Sequence, residues 1–93
     1  CDYIINIVAE HFQISPADIC SKKKSKEIAY PRQVCMYLCR VYTDEKLSTI
    51  AAALKKNNHA TVSFGYEKIK NEIEEDDNVR NMIDVLKKKI NPN

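Results

Sequence analysis

Asn58, His59 and Thr61 stand within four residues of one another in the stretch NNHATVSFG, residues 57 to 65. Together they carry an amide, an imidazole and a hydroxyl, groups that both donate and accept hydrogen bonds. At the mouth of a helix such a set can cap free N–H groups, complete a ligand set, or offer donors and acceptors to an outside partner. A second set is Cys35 and Cys39, four residues apart, with His11 or His59 available to complete it. That spacing suits a metal, but no CxxC pair of the structural-zinc kind is present, and cysteine commonly packs as a small buried apolar group. No metal or other cofactor is therefore expected. The single glycine and the absence of GxxxxGK[ST] and GxGxxG strings exclude a recognisable phosphate loop. The two histidines and four cysteines form no nucleophile–base pattern, so no catalysis or small-molecule substrate is expected.

The elements that must position these residues are helical. With 93 residues the chain is expected to form one domain, residues 1–93, and one glycine with three prolines is too few turn-makers for a sheet of hairpins. The fold class is therefore all-α. Asp2 is expected to cap a helix reaching about Gln13, with Ile4, Ile5, Val8 and Phe12 on one stripe. Ser15-Pro16-Ala17-Asp18 has the form of a capped helix start. After the charged run SKKKSK, a helix is expected from about Ile28 to Tyr42, with Pro31 tolerated in its first turn. Thr43 to Lys46 is a polar break, and Leu47 to Leu54 a short alanine-rich helix. Lys55-Lys56-Asn57 is read as a tight turn. Asn58 then caps a helix to about Glu74, with Val62, Tyr66, Ile69 and Ile73 inward. Asp76-Asp77 opens a last amphipathic helix over about 77–90, its apolar face covering either its own domain or a second copy, its Lys87, Lys88 and Lys89 suited to the C-terminal dipole end.

Two helices joined by a short turn, the second opened by polar side chains, describe a helix-turn-helix over about residues 47–74. The first residues of its second helix are the ones that reach base edges in the major groove. Asn58 suits an adenine edge, the Ala60 methyl a thymine methyl, and Thr61 a base or a phosphate. The net charge of +2 conceals basic segments, with Lys22, Lys23, Lys24, Lys26, Arg32 and Arg40 opposed between 20 and 42 by Glu27 alone. Lys55, Lys56, Lys68 and Lys70 follow, ahead of the acidic block Glu72, Glu74, Glu75, Asp76 and Asp77. One face made for an anion is the implication. Tyr30, Tyr37, Tyr42 and Tyr66 are read as core edges and His11 as structural. Phe64, off the main stripe, is assigned to packing against the last helix, with groove contact as its other reading. No run of about 18 apolar residues suggests a membrane span. The start CDYIINIVAEHF has no basic n-region and carries acids early, so it is not expected to be a signal peptide. Four free thiols fit a reducing cytoplasm, and a first residue other than Met fits a domain cut from a longer chain or a chain whose tag was removed.

The stretches IINIVAEHFQIS, SKKKSKEIAYPRQVCMYLCR, LSTIAAALKKNNHATV and the following YEKI resemble the C-terminal DNA-binding domain of bacterial replication initiators of the DnaA family, over roughly residues 2 to 75. The resemblance implies a small helical domain of the Trp-repressor-like helix-turn-helix type with an extra C-terminal helix. It implies double-stranded DNA as partner, at a short A·T-rich origin box, and an ATPase domain in the parent protein. By position, Asn58, His59, Ala60 and Thr61 match the Asp-His-Thr-Thr signature at the start of the recognition helix. Lys24, within the basic loop Lys22, Lys23, Lys24 and Lys26, matches an arginine that enters the minor groove. Arg32, Gln33 and Arg40 match backbone-contacting residues, and Leu47 and Ser48 match a Leu-Pro pair that meets phosphate.

Several positions depart from the family pattern. Asn58 replaces an acid, Ala60 a threonine, Lys24 an arginine and Ser48 a proline. Lys55-Lys56 stands where the family has Gly-Gly, so a non-glycine residue is expected at positive φ. Each good bidentate base contact contributes about 1–3 kcal/mol of discrimination, so these changes bear on which sequence is read more than on whether DNA is bound. The alternative they leave open is a regulatory or protein-interaction module that keeps the fold with weak or altered DNA specificity.

Overall fold

Each helix begins and ends where the local chemistry requires it. The computed structural model describes residues 1–56 and 58–92, and among them every regular element is helical: α1 Asp2–Phe12, α2 Pro16–Ile19, α3 Lys26–Tyr42, α4 Leu47–Ala53, α5 His59–Glu75 and α6 Asp77–Ile90. The all-α expectation holds. The Ser15 hydroxyl accepts from the Asp18 N–H at 3.0 Å, the Asn58 carbonyl oxygen from the Ala60 N–H at 2.8 Å, and the Asp76 carboxylate from the Asn78 N–H at 2.9 Å. These short polar side chains satisfy N–H groups that have no partner inside the helix.

Two boundaries differ from the sequence reading. Asp2 lies inside α1 and Cys1 takes the cap position, its carbonyl accepting from the Ile5 N–H at 2.9 Å. Asp2 still favours the helix, because a carboxylate in the first turn faces the positive end of the dipole. α3 begins at Lys26, two residues before the expected Ile28, which moves Pro31 from the first turn into the interior. The proline cannot donate to the Glu27 carbonyl. Glu27 is exposed, so water can take that bond, while the Pro31 ring is buried.

α3 is the central rod. It packs on α1, α2, α4 and α5, and α6 closes the far side against α1 and α5. Val8, Ile19, Val34, Leu38, Ile50, Leu54, Val62, Ile69 and Leu86 are sealed in the core that results. α6 covers its own chain, with Ile83 and Leu86 buried. Burying one such side chain contributes about 1.5–3 kcal/mol, so α6 is part of the core. Gly65 faces α3, and a Cβ there would overlap the Met36 sulfur. The missing side chain is what lets α5 approach α3 so closely.

Both α1 and α4 end in a Schellman arrangement. At α4 the Lys55 N–H donates to the Ala52 carbonyl at 3.0 Å and the Lys56 N–H to the Ala51 carbonyl at 2.8 Å, with Lys55 at φ 56°. Gln13 does the same after α1, at φ 59°. The positive φ expected in the Lys55-Lys56 pair is therefore present at Lys55, whereas the third residue of that expected turn, Asn57, lies outside the described residues. Left-handed backbone costs a side-chain-bearing residue about 1 kcal/mol relative to glycine, partly offset by the greater freedom glycine has when unfolded. Lys55→Gly should accordingly stabilise the fold by about 0.5–1 kcal/mol, read as a higher urea midpoint at unchanged slope. A lower midpoint would show that the lysine side chain holds the turn.

Candidate nucleic-acid interface

The loop between α2 and α3 would be a flexible charged tether if nothing held it. Arg32 holds it. The residue is 7% exposed, and its guanidinium donates from Nε to the Ile19 carbonyl at 2.6 Å and from Nη1 to the Lys23 carbonyl at 2.9 Å. Nη2 reaches the carbonyls of Ser21 at 2.9 Å and Asp18 at 3.3 Å. Lys56, just after the α4 turn, gives the Ser21 carbonyl a second donor at 2.8 Å. The Ser21 hydroxyl donates to the Asp18 carbonyl at 2.6 Å and accepts from the Lys23 N–H at 3.2 Å. Resemblance made Arg32 a backbone-contacting residue; in the structure its guanidinium donates to four of the protein's own carbonyls and so holds the loop. Only a planar fork of five donors can serve so many carbonyls at once.

With the loop fixed, the expected site residues sort into distinct places. Lys22, Lys24, Arg32, Gln33 and Thr61 line one groove of about 330 Å³, whose floor includes Met36 and whose wall includes Lys56 and Phe64. Arg40, Leu47, Ser48 and His59 line a second groove of about 470 Å³, shared with Asp44 and Glu45. The exposed start of α5 lies at the boundary between the two, with Asn58, His59, Ala60 and Thr61 all exposed. Lys23 and Lys26 are not part of this convergence. Lys23 pairs with Asp18 at 2.9 Å and holds that carboxyl below its usual range. Lys26 lines another groove, beside Phe12, Tyr30 and Glu72. The Gln33 side-chain oxygen accepts from Lys68 at 3.0 Å.

Lys56 and Phe64 line the first groove and stand outside the thirteen expected site residues, groove contact having been only the second reading of Phe64. The Lys55-Lys56 doublet was visible, but it reads first as a turn. Burial lowers the Lys56 ammonium from its ordinary value, and repulsion from Arg32, Lys22 and Lys24 adds to the effect. That crowding of cations marks a surface that gains from a neighbouring anion. Phe64 does not pack on the last helix as expected. It stands 67% exposed on α5. Of Tyr30, Tyr37, Tyr42 and Tyr66, read as core edges, Tyr37 and Tyr66 stack at 5.5 Å between centroids and Tyr42 alone is exposed. His11 packs edge-on against Phe12 at 5.0 Å, and burial followed by the nearby Lys89 charge lowers its pKa.

Among the described residues no three His, Cys, Asp or Glu side chains gather closely enough to hold a metal, and the cysteines are free. Burial pushes the Cys35 thiol far up and the Cys39 thiol up to about 12. Both are therefore protonated, poor ligands and poor nucleophiles. Among the same residues no helix is long and apolar enough to cross a membrane.

If Arg32 fixes the loop, its loss should be felt in stability. Arg32→Ala should lower unfolding free energy by about 1.5–3 kcal/mol, the cost of hydrogen bonds to a charged group left unmade. Arg32→Lys should recover less than half, because one ammonium cannot span the four carbonyls. Urea denaturation checks both, and an alanine variant as stable as the parent would contradict the role.

This geometry has close counterparts. Residues 1–69 match the family of the bacterial dnaA protein helix-turn-helix. The chromosomal replication initiator protein DnaA of Lachnoclostridium phytofermentans is 46% identical over 91 residues, which cover 98% of this chain and 20% of that protein. The DnaA of Caldanaerobacter subterraneus subsp. tengcongensis is 45% identical over 83 residues, 89% of this chain and 18% of that protein. A crystal structure described as a DNA replication initiation factor superimposes with a TM-score of 0.85 at 28% identity, covering 96% of this chain and 27% of that one. The chain thus spans about a fifth of the length of the curated relatives it matches. With that match running from residue 1, just ahead of α1, to residue 69, inside α5, the chain belongs to the bacterial DnaA helix-turn-helix family.

Proposed function

We propose that residues 1–93 act as one domain that binds double-stranded DNA sequence-specifically, in the manner of origin-box recognition during replication initiation. The start of α5 enters the major groove, and the loop carrying Lys22 and Lys24 meets the adjoining backbone or minor groove. The observation that carries this reading is the single groove that joins Lys22, Lys24 and Lys56 to Thr61. Cations there neutralise phosphates, and the polar start of α5 supplies the groups that tell bases apart. The domain itself performs no catalysis, and the ATPase activity of initiation belongs to another part of a longer parent protein. The site of action is the nucleoid.

The cap sharpens what Asn58 offers. Its oxygen accepts from the Ala60 N–H, which fixes the orientation of the amide. The exposed end keeps two N–H donors. The acid it replaces in the family has no donor to give. This position therefore favours a base edge rich in acceptors, such as guanine O6 and N7, over the amino group of cytosine.

Binding to random-sequence duplexes should weaken with salt with a log–log slope of about −0.9 per phosphate contacted. Lys24→Ala should reduce affinity for all duplexes alike and make that slope shallower by about one. His59→Ala should instead flatten base preference at one or two positions of the selected site while leaving the slope in place. Selection from a duplex library at two salt concentrations, followed by titration of both variants, checks these outcomes. No duplex binding even at low salt overturns the proposal. Unchanged base preference in His59→Ala would favour a module that kept the fold for protein contacts.

A further inference from the structure

Of the large apolar side chains left exposed, Phe64 is the most open, at 67%. An aromatic ring left in water forgoes the burial that normally holds it in place. Its setting is specific. Phe64 follows Ala60 by four residues and Thr61 by three, so the three side chains share one side of α5. It forms the wall of the groove whose cations are Lys22, Lys24 and Lys56. Gly65, the next residue, is turned inward against Met36, while Phe64 lies at the groove edge beside it. Among the described residues the lysine–ring contacts involve Tyr30 and Tyr66, not Phe64.

A benzene ring cannot bond to phosphate or to a base amide. The one apolar feature the major groove presents is the C5-methyl group of thymine. Four helical residues rise about 6 Å, close to two base-pair steps at roughly 3.4 Å each. We propose that Phe64 is a specificity-determining residue that reads a thymine C5-methyl group about two steps along the groove from the base met by Ala60. This inference rests on duplex binding as proposed above.

The test uses the 93-residue chain and the best duplex selected from a random library. Each thymine is replaced in turn by deoxyuridine, which lacks only the methyl group. The parent domain should lose about fourfold in affinity at the Phe64 position, the equivalent of one buried methyl group. Phe64→Ala should bind thymine and uracil equally there while remaining sensitive at the Ala60 position, and Phe64→Leu should restore part of the difference. Circular dichroism should show the variants folded, as expected for an exposed residue. A selected site without thymine at that step, a parent insensitive to uracil there, or an alanine variant weakened equally on every duplex overturns the thymine reading and leaves duplex binding intact. Absence of any duplex binding at low salt overturns both.

Discussion

The grip of Arg32 on the carbonyls of Asp18, Ile19, Ser21 and Lys23 is the interaction on which the arrangement depends. A loop carrying several like charges would spread in water to lower its own repulsion. Ordering it costs roughly 1–2 kcal/mol per residue in backbone entropy. One buried guanidinium, itself rooted in the central helix α3, offsets that cost through four bonds. The outcome is a row of lysines presented from a fixed frame. Lys56 ties the same Ser21 carbonyl to the turn after α4, so loop and helix-turn-helix share an anchor.

Much of this fold was legible in the sequence because it is written in short-range chemistry. Ser15, Asn58 and Asp76 each announce a helix start through a side-chain oxygen two or three bonds from the backbone, and each cap is present. The stripes of α1, α5 and α6 follow a 3.6-residue period that burial then respects. Pro31 misled the boundary of α3, because proline's preference for a first turn is local. The packing that buries its ring inside a longer helix is tertiary.

The interface was legible in its members and not in their roles. Resemblance assigned thirteen residues to one surface, yet it could not separate the arginine that builds the loop from the lysines that the loop displays. Both kinds are cations in a basic stretch. The partners of Arg32 are backbone carbonyls, which leave no trace in side-chain identity. Phe64 shows the opposite failure. Its apolar character pointed to the core, although its place off the apolar stripe of α5 already turned it away, and the structure leaves it 67% exposed. The left-handed residue at Lys55 belongs to a third kind: its backbone conformation is dictated by the turn, and the family's glycines foretold it where the residue itself did not.

Asp76 ends α5 and begins α6 at once. Its N–H closes α5 on the Glu72 carbonyl at 2.8 Å while its carboxylate caps α6 at Asn78. No spare residue separates the two helices, so their rotational phases are coupled. Adding one residue there would turn α6 by about 100° about its axis and carry Ile83 and Leu86 out of the core. The converse also holds. Because those two side chains fit in only one angular setting, they help set the azimuth of α5 along its full length. The direction in which Ala60, Thr61 and Phe64 point is governed in part from the opposite end of the helix, by residues that never approach the groove.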